Sequence, residues 1–144
     1  MSMFKMQFGE PEMMQKMQDQ LLYPNETVQA AVYCSFQDTG FFASPYHMMI
    51  GYVGLTSHDR LIGSKSGYIT TEPLHVDLSS VTKLKAKRSL FGQYQVYLEY
   101  YAEKGKGKLK FVVPAKIYGQ KFPNQREYAQ ILMQALQERQ AQLR

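Results

Sequence analysis

The chain has 144 residues, of which 44% are hydrophobic, and its formal net charge is +5 at neutral pH. This length fits one domain with a single core, and no apolar run approaches the roughly 20 residues that span a bilayer. The single cysteine, Cys34, cannot form an intramolecular disulfide, and charged residues interrupt the first 30 positions, where a secretion signal would need an apolar core. These features argue against a disulfide-stapled fold and indicate a cytoplasmic protein.

The positive charge is concentrated in one segment. Residues 1–82 have a net charge of −4, residues 83–121 have +8 and residues 122–144 have +1. Such an asymmetry suits an anionic partner, although it bears on association and not on the fold.

A short amphipathic helix is predicted near the N-terminus. Pro11 is tolerated in a first helical turn, and Glu10 and Glu12 beside it suit the positive end of the helix dipole. An apolar stripe at helical spacing follows, formed by Met13, Met14, Met17, Leu21 and Leu22. We expect this stripe to pack on the rest of the domain, and the alternative is an adaptable methionine-rich surface for a partner.

The next segments alternate as strands do. Residues 26–37 predict a long strand with Cys34 buried on its apolar face. Residues 48–57 and 60–66 predict a hairpin with a tight turn at 57–60. Both faces of the first hairpin strand are apolar, so we expect it to be buried centrally in a closed or double-layered sheet. A loop at 38–46 and a loop or short strand at 68–70 flank this hairpin.

The second half of the chain predicts three more strands, at 81–88, 93–103 and 108–113. The turns between them are expected at 91–92 and at 104–107, where glycines permit a positive φ. Consecutive side chains on one strand face lie roughly 6.6 Å apart, so alternating lysines on the first of these strands form a ridge.

The C-terminal segment predicts an amphipathic helix. Asn124 lies three residues before Glu127, a variant of the capping box in which side chains satisfy free backbone donors. An apolar stripe at helical spacing follows, formed by Tyr128, Ile131, Leu132, Ala135 and Leu136. The stripe thins beyond Gln137, so we expect the last turns to project or fray.

Two motifs resemble those of bacterial pleckstrin-homology-like (PH-like) and GRAM-type domains. The stretch GLTSHDRLIG at 54–63 is similar to their LT-x-x-R-L hairpin with one extra turn residue, and VDLSSVTKL at 76–84 is similar to their entry into a lysine-rich strand. The resemblance implies a mainly β fold with α: a seven-stranded, partly open barrel of two orthogonal antiparallel sheets capped by the C-terminal helix. Residues 1–25 would be an N-terminal helical extension and residues 26–144 the barrel with its helix, in a single domain overall.

The roles known for this family are binding roles, and no catalytic residues come with the resemblance. We therefore predict a non-enzymatic binding or scaffolding domain without a cofactor. The basic first hairpin of the best-known phosphoinositide binders is acidic and apolar here, at 38–41, which argues against inositol phosphate binding. The preferred prediction is interaction with a protein partner or self-association, through an exposed sheet edge or the N-terminal helix.

The alternative function is binding to an anionic membrane surface through basic side chains. A contiguous patch would form if the lysines of the last hairpin lay beside the ridge, and each nearby basic residue would add about 1 kcal/mol of attraction. The candidate binding residues are Lys83, Lys85, Lys87, Arg88, Lys106, Lys108 and Lys110. Single-stranded nucleic acid, with Tyr97 and Tyr101 as stacking faces, ranks below both. The same lysines also suit a solvated edge strand that resists aggregation.

Other polar motifs do not predict chemistry. Ser57, His58 and Asp59 are adjacent in a turn and cannot converge as a catalytic triad requires. His75 and Asp77 could share a strand face, but two such groups make at most a weak metal site. We therefore predict neither catalytic residues nor a metal.

Overall fold

The computed structural model describes the chain in seven stretches, which are 9–20, 22–37, 49–66, 71–89, 92–103, 105–117 and 119–143. The helices and strands in chain order are α1 (Glu10–Asp19), β1 (Val28–Gln37), β2 (Met49–Thr56), β3 (Arg60–Ser66), β4 (Thr71–Asp77), a 3₁₀ turn (Leu78–Ser80), β5 (Val81–Arg88), β6 (Gln93–Ala102), β7 (Gly105–Pro114) and α2 (Gln125–Gln142). The loops predicted at 38–46 and 68–70 lie outside these stretches, as do Leu21 of the predicted helical stripe and part of the turn at 91–92.

The strands form one antiparallel, seven-stranded sheet with the order β4-β3-β2-β1-β7-β6-β5. A short ladder between β1 and β7, in which Ser35 lies opposite Val112 and Gln37 opposite Lys110, joins the β1–β4 half to the β5–β7 half. All seven strands and α2 contribute buried side chains to one main core. The sheet therefore wraps around α2's apolar face, and the predicted mainly β fold with seven strands and a C-terminal helix is confirmed. The two separate sheets of the prediction are instead one sheet, because the β1–β7 pairing joins its halves.

The predicted central hairpin is also confirmed. β2 and β3 pair with Val53 opposite Gly63 near their middle. β2 is buried on both faces, because Val53 belongs to the main core while Tyr52 packs with Met13 and Met17 of α1 on the outer side. Helix α1 is thus the second layer that the two-sided apolar pattern requires, and its methionine stripe packs on the sheet as expected.

Gly54 makes room for α1 on the outer face of β2. A Cβ atom at this position would lie 2.3 Å from Cε of Met17, so any larger residue would push that side chain away. At the end of α1, the side-chain amide of Gln20 donates a 2.7 Å hydrogen bond to the carbonyl oxygen of Gly63. Shape and hydrogen bonding together hold α1 against the sheet.

One strand lies outside its predicted position and another is longer than predicted. β4 spans Thr71–Asp77, whereas the sequence predicted a loop or short strand at 68–70; because β4 is an edge strand, the missing N–H of Pro73 is tolerated in it. β7 begins at Gly105, which pairs with Ala102, so the turn is shorter than the predicted 104–107. Gly107 lies inside β7, opposite Tyr100. A Cβ atom at this position would lie 2.5 Å from the ring of Tyr100. Close packing, and not a turn, accounts for this glycine.

The buried face of α2 is rotated from the predicted stripe. Ile131 was expected inside but is 40% exposed. The side chains that enter the main core are Ala129, Leu132, Met133 and Leu136. Tyr128 and Ala135 are only partly buried against that core. The predicted helix is therefore confirmed, but its buried face includes Ala129 and Met133, which were not in the predicted stripe.

The predicted capping box of α2 is wrong. Asn124 makes no side-chain hydrogen bond to the first turn of the helix. Its side-chain amide instead donates to Oε1 of Glu10 at 2.6 Å, and its backbone N–H donates to Oε2 at 3.0 Å. A carboxylate that is distant in sequence therefore replaces the local capping interaction and ties the start of α2 to the start of α1.

The last turns of α2 do not fray, contrary to the prediction. The backbone N–H of Ala86 in β5 donates to Oε1 of Gln140 at 3.0 Å, and the side-chain amide of Gln137 donates to the carbonyl oxygen of Ala86 at 3.5 Å. These two glutamines form hydrogen bonds with the backbone of Ala86 on the free edge of β5. The bonds stabilise the helix end and cover part of that edge.

Candidate functional site

Strand register brings the predicted lysines onto one side of the sheet. Lys85 lies opposite Tyr97, and Tyr97 lies opposite Lys110 on its other side. In the next row Glu99 separates Lys83 from Lys108 in the same way. Neighbouring strands are about 4.8 Å apart, so the lysines of β5 and β7 are separated by about 10 Å across β6. We call this surface the basic face, and its lysines are Lys83, Lys85, Lys87, Lys106, Lys108 and Lys110.

The basic face belongs to the half of the sheet that α1 leaves uncovered. On the other half, α1 packs over Ala31 and Tyr52 on the outer surface of β1 and β2. The lysine side chains of β5 and β7 are all exposed, and the apolar face of α2 packs into the core and not onto them. The outer surface thus has a covered apolar half and an exposed basic half.

Aromatic rings lie among these lysines. The hydroxyl of Tyr97 donates a 2.8 Å hydrogen bond to Oε2 of Glu99, which raises the pKa of the tyrosine. The ammonium nitrogen of Lys83 lies 6.0 Å from the Tyr97 ring centroid and 3.8 Å from the Glu99 carboxylate. At the end of the hairpin, the ammonium nitrogen of Lys106 lies 5.8 Å from the ring of Tyr101, which is 56% exposed. The ring faces attract the lysine ammonium groups, and the exposed cations are what this surface offers to an anionic group.

Arg88, the remaining predicted binding residue, is not on this face. It alternates with Lys87 along β5 and lies at the end of that strand, opposite Tyr94. There it lines a separate cleft with Lys116 and Arg126. Lys116 and Arg126 were not predicted from the sequence as site residues. The available signal was Arg126 itself, since a cation in a first helical turn opposes the helix dipole.

The LT-x-x-R-L residues form a buried ion pair that the sequence analysis also missed. Arg60 donates to both carboxylate oxygens of Glu26, through Nη2 at 2.6 Å and Nε at 2.9 Å, and Thr56 donates its hydroxyl at 2.5 Å. The side chain of Glu26 has no exposed area. Its pKa is lowered from 4.5 to about 2, first by the hydrogen bonds from Arg60, although burial opposes the shift. The ring of Tyr23 lies 4.1 Å from the guanidinium carbon and covers the pair.

The turn at 57–59 does not form a catalytic triad. Nδ1 of His58 lies 3.5 Å from Oγ of Ser57, but the carboxylate of Asp59 points to Arg139 of α2, whose Nη2 is 3.4 Å away. Within the described stretches, no group of three or more His, Cys, Asp or Glu side chains is placed to hold a metal ion. Cys34 is fully buried, and burial raises the pKa of its thiol well above the ordinary value, as suits a structural residue.

No protein-family model and no curated protein matches this chain. Among solved structures, the chain is similar to the hSac2 domain from human phosphoinositide phosphatase Sac2, with a TM-score of 0.53 and 11% sequence identity over 93% of this chain and 82% of that one. At this identity the likeness shows the fold alone, which is PH-like, as the sequence motifs implied. Membership of the bacterial PH-like or GRAM-type family stays a prediction. None of the helices in the described regions combines the length and apolarity needed to cross a bilayer.

Proposed function

We propose that this chain is a non-enzymatic, PH-like binding module whose basic face attaches to an anionic membrane surface. The observation that supports this function is the register of β5, β6 and β7, which sets Lys85 and Lys110 on either side of Tyr97. Lysines spread over an exposed sheet suit a broad layer of headgroups better than a single small ligand. At about 1 kcal/mol for each basic residue, six lysines would contribute roughly 6 kcal/mol, which corresponds to a dissociation constant of tens of micromolar.

A protein partner or a second copy of the chain is the other candidate. The apolar stripe of α1 is buried on the sheet, and Gln137 and Gln140 occupy part of the β5 edge. The β4 edge is the remaining route that the sequence suggested, and β4 ends one side of the sheet with exposed residues around Pro73. Strand addition to this edge, where Pro73 removes one backbone donor, is the second candidate function.

Co-sedimentation with lipid vesicles tests the membrane proposal. We expect binding to vesicles that contain phosphatidylserine, no binding to pure phosphatidylcholine, and weaker binding as salt increases, because screening acts on exposed charges. The Lys83→Gln/Lys85→Gln variant should bind several-fold more weakly. The matched control is Lys16→Gln/Lys121→Gln, which removes the same charge from exposed positions elsewhere and should bind almost as wild type.

Three outcomes would overturn the membrane proposal. Equal losses in the two variants would mean that net charge alone attracts the protein. Tight binding to oligo(dT), measured by fluorescence anisotropy without vesicle binding, would favour single-stranded nucleic acid. No binding to either, with a molar mass in light scattering that increases with concentration, would favour self-association through the β4 edge.

A further inference from the structure

A second cationic site lies where the ends of β5 and β6 approach the start of α2, apart from the basic face. It is a cleft of about 330 Å³, within the usual size range of small-ligand sites. Arg88, Tyr94, Lys116, Arg126 and Gln130 line it. These residues come from β5, β6, the segment after β7 and α2, so the cleft exists only where the four segments meet.

The backbone around the cleft is fixed by hydrogen bonds between its segments. The N–H of Ala115 donates to the carbonyl oxygen of Gly92 at 3.1 Å and so ties the segment after β7 to the start of β6. The N–H of Ser89 donates to the carbonyl oxygen of Gln93 at 2.7 Å and closes the connection between β5 and β6. Gly92 has a φ of +72°, a conformation that side chains disfavour, so glycine is required at this point. The strand ends therefore form a pre-organised wall.

The opposite wall is the first part of α2. Arg126 and Gln130 are four residues apart and so share one face of the helix. The neighbouring Gln125 is buried, donates from its side-chain amide to the carbonyl oxygens of Tyr33 and Pro114 at 2.9 Å each, and accepts the N–H of Tyr33 at 3.0 Å. These bonds attach the first turn of α2 to β1 and β7, which fixes the helix backbone from which Arg126 projects.

Three cationic side chains line the cleft, and none of the lining residues that the structure describes is an acid. In the described part of the chain, neither Arg88 nor Arg126 has a hydrogen-bond or ion-pair partner, whereas Arg60 and Arg139 both bind carboxylates. Like charges held together repel, and an anion placed between them would relieve that repulsion. Guanidinium groups also match the geometry of phosphate oxygens, to which they donate two parallel hydrogen bonds.

We propose that this cleft binds a phosphomonoester group. Its charge and three terminal oxygens suit the two guanidinium groups of Arg88 and Arg126 together with the ammonium group of Lys116. Tyr94 and Gln130, which also line the cleft, add neutral hydrogen-bonding groups. The site does not depend on the proposed function of the basic face, because it uses none of the six lysines.

Side-chain NMR provides the test. Glycerol 3-phosphate is titrated into ¹⁵N-labelled protein at constant ionic strength, with sodium chloride as the control titrant, and the arginine Nε–Hε resonances are followed. Arg88 and Arg126 should shift saturably while Arg60 does not. Arg126→Gln should weaken binding by about tenfold, since a hydrogen bond to a charged group contributes roughly that factor in affinity. The control Lys83→Gln/Lys85→Gln should bind the phosphate as wild type does.

A vesicle experiment distinguishes the two sources of such a group. Weaker binding of Arg126→Gln to phosphatidic acid vesicles, with unchanged binding to phosphatidylserine vesicles, would support a lipid headgroup; saturable glycerol 3-phosphate binding without that difference would support a soluble phosphate ester. The inference is overturned if Arg88 and Arg126 do not shift, or if Arg126→Gln, with an otherwise unchanged amide spectrum, binds glycerol 3-phosphate as wild type does.

Discussion

Replacing Glu26 with glutamine tests whether the buried ion pair stabilises the PH-like fold. Glu26→Gln keeps the shape of the side chain but removes the charge that accepts hydrogen bonds from Arg60 and Thr56. The pKa of Glu26 falls from 4.5 to about 2 in the folded protein. At about 1.4 kcal/mol for each pKa unit, this shift corresponds to roughly 3 kcal/mol of stability above pH 5.

Solvent screening reduces that figure. The pair lies just below the surface, where the side chain of His58 is 41% exposed and its Nδ1 is 3.7 Å from the Glu26 carboxylate. We therefore expect Glu26→Gln to lower the free energy of unfolding by about 2 kcal/mol at pH 7, less than the full conversion of the pKa shift. Urea denaturation followed by circular dichroism measures this difference.

The pH dependence separates this explanation from a simple packing defect. A carboxyl group with a lowered pKa in the folded state contributes its stability above the unfolded pKa of about 4.5 and loses it as the pH falls toward 2. Wild type should therefore lose about 2 kcal/mol between pH 5 and pH 2 that Glu26→Gln does not lose. If the two proteins differed by the same amount at pH 7 and at pH 2.5, the charge would not be responsible and the reasoning would fail.

Three further predictions concern the packing of the two helices. Gly54→Ala should lower the free energy of unfolding, measured by urea denaturation, by about 1–3 kcal/mol because its Cβ meets the Met17 side chain. The double variant Gly54→Ala/Met17→Ala should lose less than the sum of the two single losses, and full additivity would contradict this contact. Leu132→Ala should lower the free energy of unfolding by about 2–5 kcal/mol and Ile131→Ala by under about 1 kcal/mol, because only Leu132 is fully buried. Equal losses would mean that Ile131 is buried as the sequence predicted. Gln140→Ala should accelerate hydrogen exchange at the β5 amide that it contacts, and an unchanged rate would exclude the edge contact.

Much of the fold could be predicted because its signals are local. The alternation along β2 indicated a strand buried on both faces, and the spacing of Met13 and Met17 indicated a helix with one apolar stripe. Alternation also placed Lys83, Lys85 and Lys87 on one side of their strand. Such patterns depend only on the period of a helix or strand, so they are readable without knowing what packs against them.

Other features were decided by contacts between distant parts of the chain. Asn124 has the sequence of a helix cap, yet it donates to Glu10, because folding brings a stronger, charged acceptor beside it. Ile131 fits the helical period, yet the direction from which the sheet approaches α2 buries Met133 in its place. A periodic pattern defines a stripe, and only the neighbouring element decides which edge of the stripe is covered.

The candidate sites divide in the same way. The sequence by itself determined that the chain has lysine-rich strands and a concentrated positive charge. Alternation along β5 already places Arg88 on the face opposite Lys87. Only the tertiary structure decided that Lys85 and Lys110 flank one tyrosine, and that Arg88 lines a cleft together with Arg126. Strand register and helix docking are set by the packing of the whole core, and no local period encodes which distant residues they bring together.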